Sequence, residues 1–165
     1  MKTLYILSDS TGVGQFVSIH KTWPVLLAQH LEGKWNVQNV SRNGETSRQA
    51  LERLVPDVLR FEPDAVYIQY GSNDANKWKT DKGMPRVERN EFISNLISIS
   101  HRCENVGVSA FIGTNHTGAY NNQILAIADR NIAAHHNYKG NYMLDHVHLN
   151  ERGHQLYFDT IKELF

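Results

Sequence analysis

The stretch Thr3-Leu4-Tyr5-Ile6-Leu7-Ser8-Asp9-Ser10-Thr11-Gly12 decides how the rest of the chain is read. Its first half is a short apolar run that leans towards β structure. Its second half is a cluster of turn formers, so the strand stops there and feeds a loop.

Working outward, the same alternation recurs. Trp23 to Leu31 places Trp23, Leu26, Leu27 and Leu31 at helical spacing and closes at Gly33. Trp35 to Val40 reads as a second strand, and Ser41-Arg42-Asn43-Gly44-Glu45 leads into a helix whose core face is Ala50, Leu51, Leu54, Val55 and Val58. Pro56 within it predicts a kink or a break. Asp64 to Tyr70 is a third strand, followed by a polar loop from Gly71 to about Pro85. Phe92, Leu96, Ile97 and Ile99 mark a helix, Val106 to Ile112 a fourth strand, and Ile124 to Ile132 a further helix. Asn150 to Phe165 closes the chain as an amphipathic helix with Leu156, Tyr157, Ile161 and Leu164 inward. Strands alternating with helices imply βαβ crossovers, hence an α/β fold with a mostly parallel sheet covered on both faces.

At 165 residues one domain spanning 1–165 is the expectation. Lysine plus arginine balance aspartate plus glutamate at 17 each, and no segment concentrates basic charge, which argues against nucleic acid as a partner. The single cysteine, Cys103, cannot form an internal disulfide and has no His or Asp neighbour to activate it, so it reads as a packed, reduced thiol. The apolar run at the N-terminus is too short for a signal sequence, and no stretch approaches the roughly 18 apolar residues of a membrane span. A soluble, cytoplasmic protein is therefore expected.

In open α/β sheets the ligand crevice lies at the carboxyl ends of the strands. The strand-exit loops carry Asp9-Ser10, Asn43-Gly44 and Gly71-Ser72-Asn73-Asp74, and Asp145-His146-Val147-His148 precedes the last helix. Together they supply what acyl transfer needs. A serine hydroxyl is a poor nucleophile and requires an adjacent base. His148 can be that base for Ser10, and Asp145, three residues earlier on a turn, can hold the imidazole. The tetrahedral oxyanion requires donors fixed in advance, for which the amides of Ser10 and Gly44 and the side chain of Asn73 are candidates. Taken singly, each piece has an ordinary reading as a turn, a cap or a surface imidazole. Their common order and common edge give them weight.

These blocks resemble the SGNH hydrolase (GDSL-like) family: Ser8-Asp9-Ser10 for the usual Gly-Asp-Ser, then Gly44, Gly71-Ser72-Asn73-Asp74, and Asp145-x-x-His148. The resemblance implies a flavodoxin-like three-layer α/β/α sandwich, strand order 2-1-3-4-5, without a cofactor or metal. It also implies Ser10, Gly44, Asn73 and His148 as the family's hallmark residues. Ser10-Thr11 and Asp145-His146-x-His148 look like rhamnogalacturonan acetylesterases, whereas Gly44-Glu45-Thr46-Ser47 with Leu51-x-x-Leu54 is similar to acyl-thioesterases. Two departures stand out. Ser8 replaces the family glycine, which would introduce strain of about 1 kcal/mol if positive φ were required. The segment before Asp145 is short, so the sheet is a minimal version of four to five strands, with Asn141 to Leu144 a stunted fifth strand or an edge left open for a second copy of the chain.

The expected activity is hydrolysis of short acyl esters of a carbohydrate or small molecule. The alternatives are an acyl-thioesterase or lysophospholipase-type hydrolase, or a non-catalytic carbohydrate-binding relative. Two further rivals are weaker. The nine histidines include His135-His136 and His146-x-His148, but no third ligand stands at a zinc-like distance. Gly12-Val13-Gly14 lacks the third glycine or lysine of a phosphate loop. Trp78 is a candidate substrate wall and Arg42 a candidate for an anionic substrate group, while Trp23 reads as core.

Overall fold

The computed structural model describes residues 1–127, 138, 140–143 and 145–165. Four strands, β1 (Lys2–Ser8), β2 (Trp35–Asn39), β3 (Ala65–Gln69) and β4 (Ser109–Gly113), form one parallel sheet in the order β2-β1-β3-β4. The helices are α1 (Ser10–Val13), α2 (Trp23–His30), α3 (Ser47–Asp57), α4 (Ser72–Ala75), α5 (Arg89–Glu104), α6 (Asn121–Ile127) and α7 (Glu151–Ile161).

Period-two alternation in the central strands sorts the core into two halves. Tyr5, Leu7, Val66 and Ile68 face one side, where Ala50 and Leu54 of α3 and Phe92, Leu96, Ile99 and Cys103 of α5 cover them. Leu4, Ile6, Ala65 and Tyr67 face the other, under Trp23 and Leu27 of α2 and Tyr157 and Ile161 of α7. Each fully buried aliphatic side chain contributes roughly 1.5–3 kcal/mol, so β1 and β3, buried on both faces, anchor the molecule. The result is an α/β/α sandwich with β1 and β3 at its centre.

Several expectations change in detail. Ser8 lies in extended backbone and carries no strain; its buried hydroxyl donates to Gln69 Oε1 on the neighbouring strand at 2.5 Å. Pro56 sits in the last turn of α3, which ends one residue later, so it terminates the helix and does not kink it. Val55, expected inward, is half exposed. The polar loop after β3 holds α4 and a 3-10 turn at Lys79–Asp81. Of the expected helix Ile124–Ile132, the part beyond Ile127 lies outside the described residues, as do His135-His136 and Leu144. Among the described residues, 141–143 supply no fifth parallel strand: Tyr142 makes one antiparallel bridge with Leu149. Cys103 is buried, and burial pushes its thiol up to about 12, which removes it from thiolate chemistry. No described helix is long and apolar enough to cross a membrane.

Gly71, at the exit of β3, has φ 126°, a region closed to most side chains. An added Cβ would also meet Asn115 Nδ2 at 2.5 Å and the Ala119 carbonyl at 2.9 Å. Gly71→Ala should therefore lose roughly 2 kcal/mol or more, a Tm drop of about 5 °C or more by calorimetry. An unchanged Tm would show that the loop gives way freely.

Candidate active site

The carboxyl ends of β1 and β3 point to the same edge, and the chain leaves them in opposite directions, which opens a crevice between their loops. β1 passes into α1 through Asp9 alone. Asp9 caps α1 by accepting the Thr11 amide at 2.9 Å, so Ser10 is held at the first helical position. At the far end of the chain, Asp145 organises its own turn. Its Oδ1 accepts the amides of Val147 and His148 at 2.9 and 3.0 Å, while its Oδ2 meets His148 Nδ1 at 2.6 Å. That is why a three-residue spacing suffices: one carboxylate fixes both backbone and ring. These bonds, the imidazole contact foremost, hold the exposed Asp145 carboxyl well below the usual carboxylate range. The other ring nitrogen, His148 Nε2, lies 3.2 Å from Ser10 Oγ.

Ser10, Gly44, Asn73 and His148 line one cavity of about 500 Å³. Gly44 holds φ 71°, where glycine is unstrained, and its carbonyl accepts Arg86 Nη1 at 2.8 Å. Asn73 Nδ2 donates to the Glu45 carbonyl at 3.1 Å and, at a longer 3.3 Å, to Asp9 Oδ2. The neighbouring Asp74 faces inward: its Oδ1 accepts the amide and hydroxyl of Ser47 at 2.9 and 2.6 Å, tying α4 to the start of α3. Burial raises the pKa of Asp74.

The structure does not bring Arg42 or Trp78 into this cavity. Arg42 pairs with Asp57 at 2.6 Å and lines a separate depression with Arg53, Pro56 and Arg60. Trp78 is half exposed under the Arg86 guanidinium, 4.7 Å from its ring centre, and Arg86 in turn bonds the Gly44 carbonyl. Trp23 is fully buried in the core. Among the described residues no group of three His, Cys, Asp or Glu side chains is placed to hold a metal ion.

Residues not foreseen complete the site. His116 is buried, and its ring bridges the two halves. Nε2 contacts the Val147 carbonyl at 2.7 Å, and since a carbonyl only accepts, Nε2 carries the hydrogen. Nδ1 then accepts from Thr11 Oγ1 at 3.3 Å. Burial pushes the His116 pKa down to about 4, which keeps the ring neutral at pH 7. The bridge joins the neighbour of Ser10 to the neighbour of His148. Gly113-Thr114-Asn115-His116 is itself a strand exit, so the rule that singled out the other loops applies to the fourth strand as well.

The family model for GDSL-like lipases and acylhydrolases matches residues 9–156. The chain belongs to this family. A thioesterase 1/protease 1/lysophospholipase L1 from Escherichia coli is 39% identical over 72 residues, 44% of this chain and 35% of that protein. An arylesterase from Vibrio mimicus is 33% identical over 99 residues, 58% of this chain and 47% of that protein. These matches span less than half the length of either relative. The crystal structure of an acetyl xylan esterase superposes with a TM-score of 0.82 at 18% identity, covering 98% of both chains, which shows a common fold.

Asp9 links the site to stability. Burial raises its pKa to about 6, so between about pH 4 and 6 the folded protein keeps a proton that the unfolded chain has lost, and stability falls as pH rises. His116 and His154, both pushed down to about 4 by burial, act oppositely: the unfolded chain binds more protons there, and stability rises with pH. Asp9→Asn removes the first trend. Urea unfolding at pH 4, 5, 6 and 7 should show stability rising more steeply in the variant, by on the order of 2–3 kcal/mol across the window. Parallel curves would place a charged Asp9 in the folded protein throughout.

Proposed function

We propose that this protein is a serine esterase that forms an acyl-enzyme on Ser10. The observation that carries the reading is the continuous chain from Ser10 Oγ to His148 Nε2 at 3.2 Å and from His148 Nδ1 to Asp145 at 2.6 Å. Asp145, acting as acceptor, fixes the proton on Nδ1 and leaves Nε2 free to take the serine proton as Oγ attacks the ester carbonyl. The bond from Ser10 Oγ to the acyl carbon forms and the bond from that carbon to the alcohol oxygen breaks, with His148 returning its proton to the departing oxygen. A water then repeats the sequence to release the acid.

The amides of Ser10 and Gly44 and the Asn73 carboxamide are the proposed oxyanion donors. One Asn73 N–H stays on the Glu45 carbonyl and sets the orientation of the amide. The longer bond to Asp9 is the one a developing oxyanion replaces.

The cavity favours a short acyl group. Its lining is dominated by Thr11, Gln15, Ser72, Asn76 and Thr117 beside the proposed catalytic groups, with only Ala75, Ala119 and Val147 as apolar members. Three apolar side chains set among mostly polar residues suit a short acyl group better than a long chain. The thioesterase-like run Gly44-Glu45-Thr46-Ser47 has structural duties instead: Glu45 pairs with Arg53, Thr46 forms a capping box with Gln49, and Ser47 bonds Asp74.

With p-nitrophenyl esters, acetyl should give a higher kcat/KM than octanoyl; the reverse order would favour the thioesterase-like reading. His148→Ala should lower kcat by several orders of magnitude, whereas His146→Ala should retain most activity, because His146 sits on the turn with its amide on the Met143 carbonyl and makes no part of the chain. Equal losses in both variants, with sensitivity to EDTA, would point to a metal site instead.

A further inference from the structure

Phe16 lies just past α1, and 62% of its surface is exposed. Its backbone is in the left-handed region at φ 68°. The Val17 amide bonds the Gly14 carbonyl at 3.2 Å, so Phe16 is the third residue of a four-residue turn, the position where such a φ favours glycine or asparagine. A large apolar ring is thus kept in water, on backbone suited to glycine. It covers no core: it stands perpendicular to the His148 ring, with centroids 5.2 Å apart and planes at 89°.

We propose that Phe16 is the platform for the leaving group, and that the preferred alcohol carries a ring with an apolar face. The proposal rests on the serine esterase reading. In that reading His148 Nε2 hands its proton to the departing oxygen, so the alcohol occupies the flank of His148. The acyl carbon and the oxyanion lie deeper, between Ser10, Gly44 and Asn73. Phe16 packs on His148, which lines that cavity, without lining it itself, so its ring stands outside the cavity on the flank of the imidazole, where this reading places the alcohol part. Val147, half exposed and adjacent to His148 in the chain, adds apolar surface on the same loop. An aromatic face at this place stacks on an aryl ring or on the C–H face of a pyranose, and gains little from a two-carbon alkyl group.

The strained turn makes the test clean, because Phe16→Gly removes the ring and relieves the backbone together. The melting temperature of Phe16→Gly should equal or exceed that of the wild type. Its kcat/KM for phenyl acetate and for a monoacetylated methyl xylopyranoside, each divided by that for ethyl acetate, should fall about 3- to 10-fold. Phe16→Tyr, which keeps the ring, should preserve both ratios. A fall in the phenyl ratio alone identifies an aryl alcohol, and a fall in the sugar ratio alone a carbohydrate; either supports the platform. Unchanged ratios, whether activity on all three esters is kept or falls equally, would overturn it; an equal fall would reduce Phe16 to a prop for the imidazole. Retention of activity in Ser10→Ala would overturn the esterase reading itself, a result the Phe16 ratios cannot mimic.

Discussion

The carboxylate of Glu45 is buried beneath the loop that follows β2, and the order of the site depends on it. Arg53 Nε meets Glu45 Oε1 at 2.6 Å and a second guanidinium nitrogen meets Oε2, which also accepts the Tyr70 hydroxyl at 2.6 Å. Two charges withdrawn from water in this way add little net stability. The loss of either partner costs about 3–5 kcal/mol, because the other is left buried and uncompensated, so the pair has one low-energy arrangement. That arrangement fixes the peptide on either side. Gly44 precedes it in the chain, and the Glu45 carbonyl receives Asn73. Two loops from different strands are therefore set relative to each other by one residue that does not itself line the cavity.

The remaining alignment is done by a neutral histidine and a buried carboxyl. His116 joins Thr11 to Val147, so the segments that carry Ser10 and His148 are held by a ring whose burial keeps it uncharged at neutral pH. Asp9 caps the helix that begins with Ser10 and also meets the Asn73 amide. Desolvation weakens its hold on its charge, which suits a carboxyl set beside a donor needed elsewhere. Burial and hydrogen bonds thus hold both Asp9 and His116 in place beside the cavity.

Much of this was legible in the sequence because it is local. The apolar run Thr3–Leu7, the helical spacing from Trp23 and the turn formers at each strand exit depend on near neighbours, and they lead to the parallel sheet. Asp145 and His148 are legible for the same reason, since the turn between them is closed by a single side chain. What escaped depends on partners distant in the chain. Arg42 stands beside Gly44 in sequence, yet its charge is taken by Asp57 on the end of α3, which no spacing rule reveals. His116 carries no signal in the sequence because both of its partners belong to other segments. Ser8 stands where a family glycine is usual, and whether that position requires positive φ is not legible in the sequence; the backbone is extended, and Gln69 supplies the partner for the hydroxyl.

Ser10 and His148 are separated by 138 positions in the chain. The contact between them depends on α7, which follows His148 and packs on the far face of the sheet beside α2, where Tyr157 and Ile161 join the second half of the core. Sheet formation alone leaves the serine without its imidazole. During refolding, β1 and β3 can pair and bury their faces while the molecule is still inert, since closing so long a loop comes late in a landscape ruled by chain entropy. On the proposed serine mechanism, recovery of turnover would report this long-range contact, separately from the spectroscopic signals that report helices and strands.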